Sequence, residues 1–276
     1  MGFVVLGCGP KTTRSRYWRE GLGMAELQQF PVMGVPVHLS TDYLDWLVQQ
    51  AQAGRGAQVV TLNAEMTMQA EQNPELAQII RQAELVVPDG AGVVLYLRLQ
   101  GRRIQRCPGI ELAKALLHQA ALRGEAWPVF FYGGAPGVTE QAGDRLRQEL
   151  PGLAIAGASH GFLSAEEQEA LAQTLQAQQP KIILVGLGVP RQEFWIQAHR
   201  HLCPDALWIG VGGSFDIWSG TKARAPQWLC KYHLEWAYRL YQEPWRWRRM
   251  GALPKFAWRA LVYRLFPRHT VGQSTP

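Results

Sequence analysis

The sequence lacks the cysteine spacing of a metal site or a disulfide framework. Its four cysteines are scattered, with no Cys-x-x-Cys pair and no histidine partner at ligand spacing. It also has no apolar run approaching the roughly 18 residues of a membrane-spanning helix, and its first residues lack the pattern of a signal peptide. We therefore expect a protein that stays in a reducing cytoplasm and folds without zinc or disulfides.

Acidic residues are too few to balance the basic ones. There are 28 Lys and Arg against 22 Asp and Glu, which gives a net charge of +6, and basic residues are densest after residue 222. This excess predicts an anionic partner, which could be nucleic acid, a phosphorylated substrate or a lipid surface. With 276 residues and 47% hydrophobic content, the chain can form one large domain, or one domain with an appendage.

Short apolar runs alternate with helical patterns from about residue 58 to residue 213. The apolar runs predict strands at 58–62, 84–87, 129–132, 153–156, 182–185 and 207–211. The helical patterns cover 74–83, 109–123, 138–150, 165–178 and 191–199, with a capping box from Ser164 to Glu167. This order predicts an α/β fold, with a Rossmann-like, mostly parallel sheet flanked by helices and a helical, basic C-terminal appendage.

The stretch Val87-Pro88-Asp89-Gly90 places one carboxylate at the end of an apolar run, on a turn shaped by proline and glycine. Asp89 is either a simple turn or capping residue or a reactive base. Thr61-Leu62-Asn63, Arg106-Cys107-Pro108-Gly109 and Pro190-Arg191-Gln192-Glu193 supply polar groups near other predicted strands. Ligands of open α/β sheets bind beyond the carboxyl ends of the strands, so we expect these groups to meet in one crevice.

Glycine turns follow several predicted strands. Gly7-Cys8-Gly9 resembles the start of a dinucleotide-binding fingerprint, but the third glycine is missing. Gly133-Gly134 and the turn from Gly210 to Ser214 are better candidates for holding a phosphate, because backbone N–H groups can face a diphosphate. Simple turn formation explains these glycines equally well.

The segment from Trp228 to Phe266 interleaves tryptophan with arginine and lysine. This spacing is typical of an interfacial helix, whose rings lie at the headgroup level while its cations meet anionic phosphates. A core-packing helix with a solvated basic face is one alternative. Nucleic-acid binding is another, although no recognised nucleic-acid-binding module accompanies the segment. The tryptophans are Trp228, Trp236, Trp245, Trp247 and Trp258.

A series of short strings runs through the chain. They are Thr61-Leu62-Asn63-Ala64-Glu65, Pro88-Asp89-Gly90, Arg106-Cys107-Pro108-Gly109, His160-Gly161-Phe162, Gly186-Leu187-Gly188-Val189-Pro190-Arg191-Gln192-Glu193, Arg224-Ala225-Pro226, Leu234-Glu235-Trp236-Ala237-Tyr238-Arg239-Leu240 and Glu243-Pro244-Trp245-Arg246. In order and approximate spacing the series resembles the WecG/TagA/CpsF glycosyltransferases (glycosyltransferase family 26), from about Phe30 to Arg249. One such string alone is weak, whereas the series is specific.

The resemblance implies inverting transfer of a sugar from a UDP-sugar donor to a polyprenyl-diphosphate-linked acceptor sugar in cell-surface polysaccharide synthesis. The donor sugar in relatives includes N-acetylmannosamine, its uronic acid and glucose. It further implies a peripheral protein at the inner face of the plasma membrane, in contact with an anionic membrane surface and without nucleic acid as a partner. A homo-oligomer is left open.

By the same resemblance Asp89 matches the proposed catalytic base, while Thr61, Asn63, Arg106 and Gln192 match active-site positions. The expected substrate-binding residues are Gly133, Gly134, Gly188 and Gly212 in the core and Arg224, Arg239, Arg246 and Arg249 in the appendage. In relatives the appendage is thought to close over the site and contact the membrane. An inverting transfer needs a base for the acceptor hydroxyl, and a carboxylate on a rigid turn suits this role.

The sequence contains no Asp-x-Asp, the pair with which many nucleotide-sugar transferases hold a metal. We therefore expect no metal and no cofactor, with arginines and a helix N-terminus meeting the charge on the departing UDP. Glu65 and Glu193 are second choices for the base, since each could equally begin or cap a helix. Lys222 stands at a position that we expect to be apolar.

The resemblance divides the chain into four parts: an N-terminal extension (1–29), an α/β catalytic core (30–217), a basic, Trp-rich appendage (218–267) and a flexible tail (268–276). Two other interpretations remain open from the residues. One is a Rossmann-type oxidoreductase, disfavoured by the incomplete glycine fingerprint. The other is a noncatalytic membrane- or nucleic-acid-binding module, in which the C-terminal Trp/Arg segment carries the whole function.

Overall fold

Strands rich in valine, isoleucine and leucine form the centre of the protein. The computed structural model describes residues 27–102, 104–232, 234–247 and 251–265. The strands are β1 (Gln28–Val32), β2 (Val35–Leu39), β3 (Ala57–Leu62), β4 (Leu85–Pro88), β5 (Val129–Gly133), β6 (Ile155–Ser159), β7 (Ile182–Gly186) and β8 (Leu207–Gly210). Within the described residues, β3 to β8 form a six-stranded parallel sheet in the order β4-β3-β8-β7-β5-β6. β1 and β2 form an antiparallel hairpin.

Helices cover both faces of the sheet and continue beyond it. They are α1 (Tyr43–Gln52), α2 (Ala64–Gln72), α3 (Pro74–Gln82), α4 (Ala91–Leu99), α5 (Gly109–Ala121), α6 (Val138–Glu149), α7 (Ala165–Gln178), α8 (Arg191–His199), α9 (Ser214–Trp218), α10 (Gln227–Lys231), α11 (Glu235–Gln242) and α12 (Ala252–Leu265). Side-chain caps set several of these starts: Asn63 caps α2 and Asn73 caps α3. Ser164 and Glu167 form the predicted capping box.

Successive side chains of each strand point to opposite faces of the sheet. Val59 and Phe131 join the core beneath α1, α5, α6 and α9. Val60, one residue further along β3, joins a second core with the hairpin, α2, α3 and α4. Phe130 belongs to a third core beneath α7 and α8. Burial on both faces explains why the central strands are almost continuously apolar.

The predicted α/β, Rossmann-like fold is confirmed, with local differences. β6 lies at Ile155–Ser159 rather than at 153–156; it is half-buried along its whole length and ends in small residues, so it lacks a long apolar run. The hairpin, α1, α2 and α4 were not predicted. Pro31 and Pro36 face each other within the hairpin, whose turn at Met33 and Gly34 has positive φ angles.

The C-terminal helical region packs against the sheet-forming core. α12 contacts α2 and α4, with Phe256 4% exposed and edge-on to Tyr96 at a ring distance of 6.4 Å. Arg259 forms an ion pair with Glu71 at 3.2 Å. The division of the chain into four parts stays a prediction. Gly7-Cys8-Gly9, most of the predicted extension and the predicted tail lie outside the described residues.

Candidate active site

A cleft of about 330 Å³ opens at the carboxyl ends of β3, β4 and β8. Parallel strands bring these ends to one edge of the sheet, so groups far apart in the sequence meet there. The structure brings all five predicted catalytic positions to this cleft. They are Asp89, Thr61, Asn63, Arg106 and Gln192.

Asp89 follows directly on β4 and is held by hydrogen bonds on both sides. Its backbone N–H donates to the carbonyl of Leu62 at 3.0 Å, and its Oδ1 accepts the backbone N–H of Gly109 at 3.2 Å. Gly90 allows a close approach, because a Cβ there would lie 2.8 Å from the Cβ of Asn63. The carboxyl group therefore sits on a rigid turn, facing the cleft.

The Asp89 side chain is half-buried, with 27% of its surface exposed. Burial raises the pKa of Asp89, and the like charge of Glu235 adds to this rise. The cations Arg106 and Arg239 and the N–H of Gly109 act in the opposite direction, but the net pKa lies above the ordinary aspartate value. A carboxylate with a raised pKa is a stronger proton acceptor, which suits a general base.

Thr61 and Asn63 each make one structural hydrogen bond at the cleft wall. The Thr61 hydroxyl donates to the carbonyl of Gly210 at 3.3 Å. The Asn63 Oδ1 caps α2 by accepting the N–H of Met66 at 3.0 Å. These bonds leave the hydroxyl lone pairs of Thr61 and the amide N–H groups of Asn63 as the groups suited to a ligand.

Gln192 and Glu193 begin α8 and are 2% and 1% exposed. The Gln192 Oε1 accepts the N–H of Gly212 at 3.0 Å, and its Nε2 donates to the Glu193 Oε1 at 2.8 Å. Burial raises the pKa of Glu193 to about 7, although the hydrogen bond from Gln192 opposes the rise. Among the described residues the cleft is bordered by Gln192 and Glu65 but not by Glu193. Of the two second choices for the base, Glu193 thus lies behind the cleft wall.

Arg106 connects the core to the C-terminal region. Its Nε donates to the backbone carbonyl of Asp89 at 2.6 Å, and its guanidinium forms an ion pair with Glu235 on α11. Burial acts to raise the pKa of Glu235, but the hydrogen bond and charge of Arg106, aided by Cys230 and Arg224, outweigh burial and hold it below the ordinary value. The pair therefore consists of two full charges within one polar network.

Glu235 is a site residue that the sequence did not predict. It lies on the string from 234 to 240, but its partner Arg106 is 129 positions away in the chain. Its family string was the only signal that could have drawn attention to it. Trp236, its neighbour, also borders the cleft and is 42% exposed.

The expected appendage arginines are distributed unevenly. Arg239 borders the cleft. Arg224 pairs with Glu111 and lies 4.0 Å from Glu235, beside a smaller cavity of about 30 Å³ that Arg239 also borders. The side chain of Arg246 and the whole of Arg249 lie outside the described residues.

The four predicted binding glycines fall into two groups. Gly188 and Gly212 border the cleft with φ angles of 74° and 52°, and a Cβ at either position would meet no atom within 4 Å. Gly212 donates its N–H to Gln192, which differs from the expectation that this N–H faces a phosphate. Gly133 and Gly134 are not among the described residues that line the cleft. A Cβ on Gly133 would lie 2.5 Å from the backbone of Gly186, so close packing accounts for that glycine.

Lys222 occupies a position that we expected to be apolar. Its ion pairs with two carboxylates account for a charged residue there. Its Nζ lies 2.7 Å from a carboxylate oxygen of Asp216 on α9 and 2.9 Å from one of Glu243 just after α11. Burial acts to lower the pKa of Lys222, but the hydrogen bonds to the two carboxylates outweigh burial. The net pKa therefore lies above the ordinary lysine value. Lys222 therefore stays charged and ties the core to the C-terminal helices.

The described residues contain neither a metal-binding cluster nor a membrane-spanning helix. No group of three or more His, Cys, Asp or Glu side chains is placed to hold a metal ion in the described ranges. In the same part of the chain, no helix combines the length and apolar character needed to cross a bilayer.

Comparison with known proteins identifies the family of the chain. The family model "Glycosyl transferase WecG/TagA/CpsF family" matches residues 30–270. A Bacillus spizizenii protein named N-acetylglucosaminyldiphosphoundecaprenol N-acetyl-beta-D-mannosaminyltransferase is 41% identical over 220 residues, which cover 79% of this chain and 81% of the relative. A Bacillus subtilis protein of the same name is 36% identical over 219 residues, covering 79% and 84%.

Over most of its length the chain is similar to sugar-transferring enzymes. The chain belongs to the WecG/TagA/CpsF family of glycosyltransferases. This confirms the resemblance and replaces the two other interpretations, an oxidoreductase and a noncatalytic binding module.

Proposed function

We propose that the protein transfers N-acetylmannosamine from a UDP-sugar, with inversion, to N-acetylglucosamine linked to a polyprenyl diphosphate. The names and identities of the two Bacillus relatives support this choice of sugar, acceptor and lipid. Those names specify a β-linked product. Because UDP-activated D-hexosamines are α-linked, a β product requires inversion at the anomeric carbon.

The single observation that carries the proposal is Asp89 at the cleft edge. Its Oδ1 is held by the N–H of Gly109, and its pKa is raised by burial. In the proposed reaction Asp89 accepts the proton of the acceptor hydroxyl while the hydroxyl oxygen attacks the anomeric carbon. The bond from that carbon to the UDP oxygen breaks, and UDP leaves with the bonding electrons.

The leaving diphosphate requires positive charge. Arg106 and Arg239 border the cleft, and the five N–H donors of each guanidinium suit phosphate oxygens. The pairings of Arg106 with Asp89 and Glu235 engage only part of its donor set. We propose that these arginines replace a divalent metal in stabilising the charge on UDP.

The acceptor lipid requires access from a membrane. Large apolar residues are exposed along the C-terminal region, with 37% to 82% of the surface of each residue accessible. They are Trp228, Tyr232, Leu234, Trp236, Tyr241, Trp245, Trp247, Trp258 and Leu261. Aromatic rings beside arginine and lysine favour the headgroup region of an anionic bilayer. We propose that this surface, the aromatic surface, holds the enzyme at the inner face of the plasma membrane.

The donor sugar is the part of the proposal that a direct assay tests. Purified full-length protein is incubated with a polyprenyl-diphosphate N-acetylglucosamine and, in turn, with UDP-N-acetylmannosamine, UDP-N-acetylmannosaminuronic acid and UDP-glucose. Mass spectrometry of the lipid product is expected to show addition of one N-acetylhexosamine from the first donor. Transfer only from the uronic acid or glucose donor would overturn the sugar assignment, and no transfer from any donor would overturn the proposed reaction.

A further inference from the structure

Glu193 is a buried acid that the proposed reaction does not use. It is 1% exposed, and its Oε2 has no hydrogen-bond partner among the described residues. Burying a carboxyl group costs free energy unless it is fully hydrogen-bonded, so an apolar side chain would fill this position more cheaply. An apolar side chain, however, could not accept the hydrogen bond that the Glu193 Oε1 accepts from Gln192 at 2.8 Å.

The orientation of the Gln192 amide follows from its two partners. The backbone N–H of Gly212 can only donate, so the amide atom that faces it at 3.0 Å must be the oxygen. The NH2 group then points to Glu193, which accepts one of its hydrogens. One hydrogen is left, and Gln192 borders the cleft, so this N–H is the one donor that the amide can offer to a substrate.

The backbone at the end of β8 is shaped to admit this network. A Cβ on Gly210 would lie 2.4 Å from the Gln192 Nε2 and 3.2 Å from the Glu193 Oε1. The Gly210 carbonyl in turn accepts the hydroxyl of Thr61 at 3.3 Å. The hydrogen-bonded series of Glu193, Gln192 and Gly212 therefore lies at the end of β8. Thr61, a predicted catalytic position, is bound to the same strand end.

We propose that Glu193 is a positioning residue for the transfer reaction: by accepting from Gln192 it fixes the amide that borders the cleft and, through the Gly212 N–H, the turn after β8. This inference rests on the proposed function. Glu193 acts through Gln192 and does not itself border the cleft, so its removal impairs turnover by misplacing another group. Misplacement by about 1 Å can cost on the order of 100-fold in rate.

A double-mutant cycle separates positioning from simple packing. Kinetics with UDP-N-acetylmannosamine and the lipid acceptor are measured for wild type, Glu193→Met, Gln192→Met and the double variant. We expect Glu193→Met to lower kcat by about 100-fold while the thermal midpoint does not fall, and Glu193→Gln, which keeps an acceptor, to restore most of kcat. In the Gln192→Met background the second change should have no further effect.

Two results would contradict a positioning role for Glu193. Wild-type kcat in Glu193→Met, or losses in the double variant that multiply, would overturn the positioning role. If Glu193→Met does not fold, Glu193→Asp takes its place. Aspartate retains the acid, but its shorter side chain withdraws the oxygen from the Gln192 amide. An impaired kcat then supports the proposal, and an unimpaired kcat overturns it. An inactive wild type with every donor would instead refute the proposed function, so the two failures are distinguishable.

Discussion

Arg106 and Glu235 form an ion pair that joins the loop before α5 to the C-terminal helix α11. Each side chain is 16% exposed, so water screens the pair only in part. Arg106 also holds the carbonyl of Asp89 at 2.6 Å, and its guanidinium lies 4.0 Å from the Asp89 carboxylate. The C-terminal region therefore acts electrostatically on the proposed base through the charges of Glu235 and Arg239, and Arg106 links Glu235 to Asp89.

Neutralising Glu235 is expected to make Asp89 more acidic. Glu235 raises the pKa of Asp89 by its like charge, and it also offsets the charge of Arg106, which lowers that pKa. In Glu235→Gln both effects shift the pKa of Asp89 downward. The acidic limb of the pH profile of kcat/KM, which reports the free enzyme's base, should move to lower pH.

The control for this prediction is Glu149→Gln. Glu149 belongs to an ion pair with Lys114 in which its side chain is 54% exposed. Such a solvent-exposed ion pair contributes little interaction energy, so the acidic limb of the kcat/KM profile should not move in Glu149→Gln. An acidic limb that stays in place or rises in Glu235→Gln would show that the ion pair does not tune the base.

The buried Glu193 predicts a pH-dependent stability. Its pKa rises from 4.5 in the unfolded chain to about 7 in the folded protein. The folded state thus binds the proton more tightly, so its contribution to stability is complete below pH 4.5 and is lost as the pH rises to about 7. Glu193→Gln removes this dependence. The free energy of unfolding of the variant relative to wild type should increase by about 3 kcal/mol between pH 4.5 and pH 8.

Chemical denaturation at a series of pH values measures this difference. Glu149→Gln again serves as the control, and its difference from wild type should stay nearly constant with pH. A difference between Glu193→Gln and wild type that does not change with pH would mean that Glu193 ionises freely in the folded protein.

Metal removal is expected to leave turnover intact. The proposed mechanism meets the charge on UDP with Arg106 and Arg239, which border the cleft. Initial rates in excess EDTA should therefore equal those in magnesium, while Arg239→Met should lower kcat by about 10- to 1,000-fold. Loss of activity in EDTA with recovery on adding magnesium would contradict this part of the mechanism.

The aromatic surface predicts binding to anionic vesicles. Trp228 and Trp245 are 60% and 69% exposed, and replacing both with alanine should weaken cosedimentation with phosphatidylglycerol vesicles about tenfold, equivalent to about 1.4 kcal/mol. Leu122→Ala is the control, because Leu122 is 79% exposed but lies between α5 and β5. Equal binding by the tryptophan variant and wild type would place the membrane contact elsewhere.

The sequence predicted the parallel sheet and the strand-end residues well, because apolar runs and their polar ends are local signals. It failed where tertiary packing overrides local pattern. The first turn of α4 contains Gly92, Val93 and Val94, which have low helix propensity, and α4 forms in contact with α12, where a Cβ on Gly92 would lie 3.4 Å from the Phe256 ring. The hairpin was hidden by Pro31 and Pro36 within paired strands.

The candidate site shows the same limit. Asn63 and Asp89 follow their strands directly and Thr61 lies near the end of β3, so their convergence could be inferred from parallel topology. The contacts of Glu235 and Glu193 could not, because Glu235 pairs with a residue 129 positions away and Glu193 lies behind the cleft wall. Such contacts become visible only when the chain is folded.

The kcat of Asp89→Asn tests the central claim most directly. Asparagine preserves the size of the side chain and the oxygen that accepts from Gly109, but it cannot take a proton. With UDP-N-acetylmannosamine and the lipid-linked acceptor, kcat should fall by about 100- to 10,000-fold while the unfolding midpoint and circular dichroism match wild type. A variant that keeps wild-type kcat would contradict the assignment of Asp89 as the base.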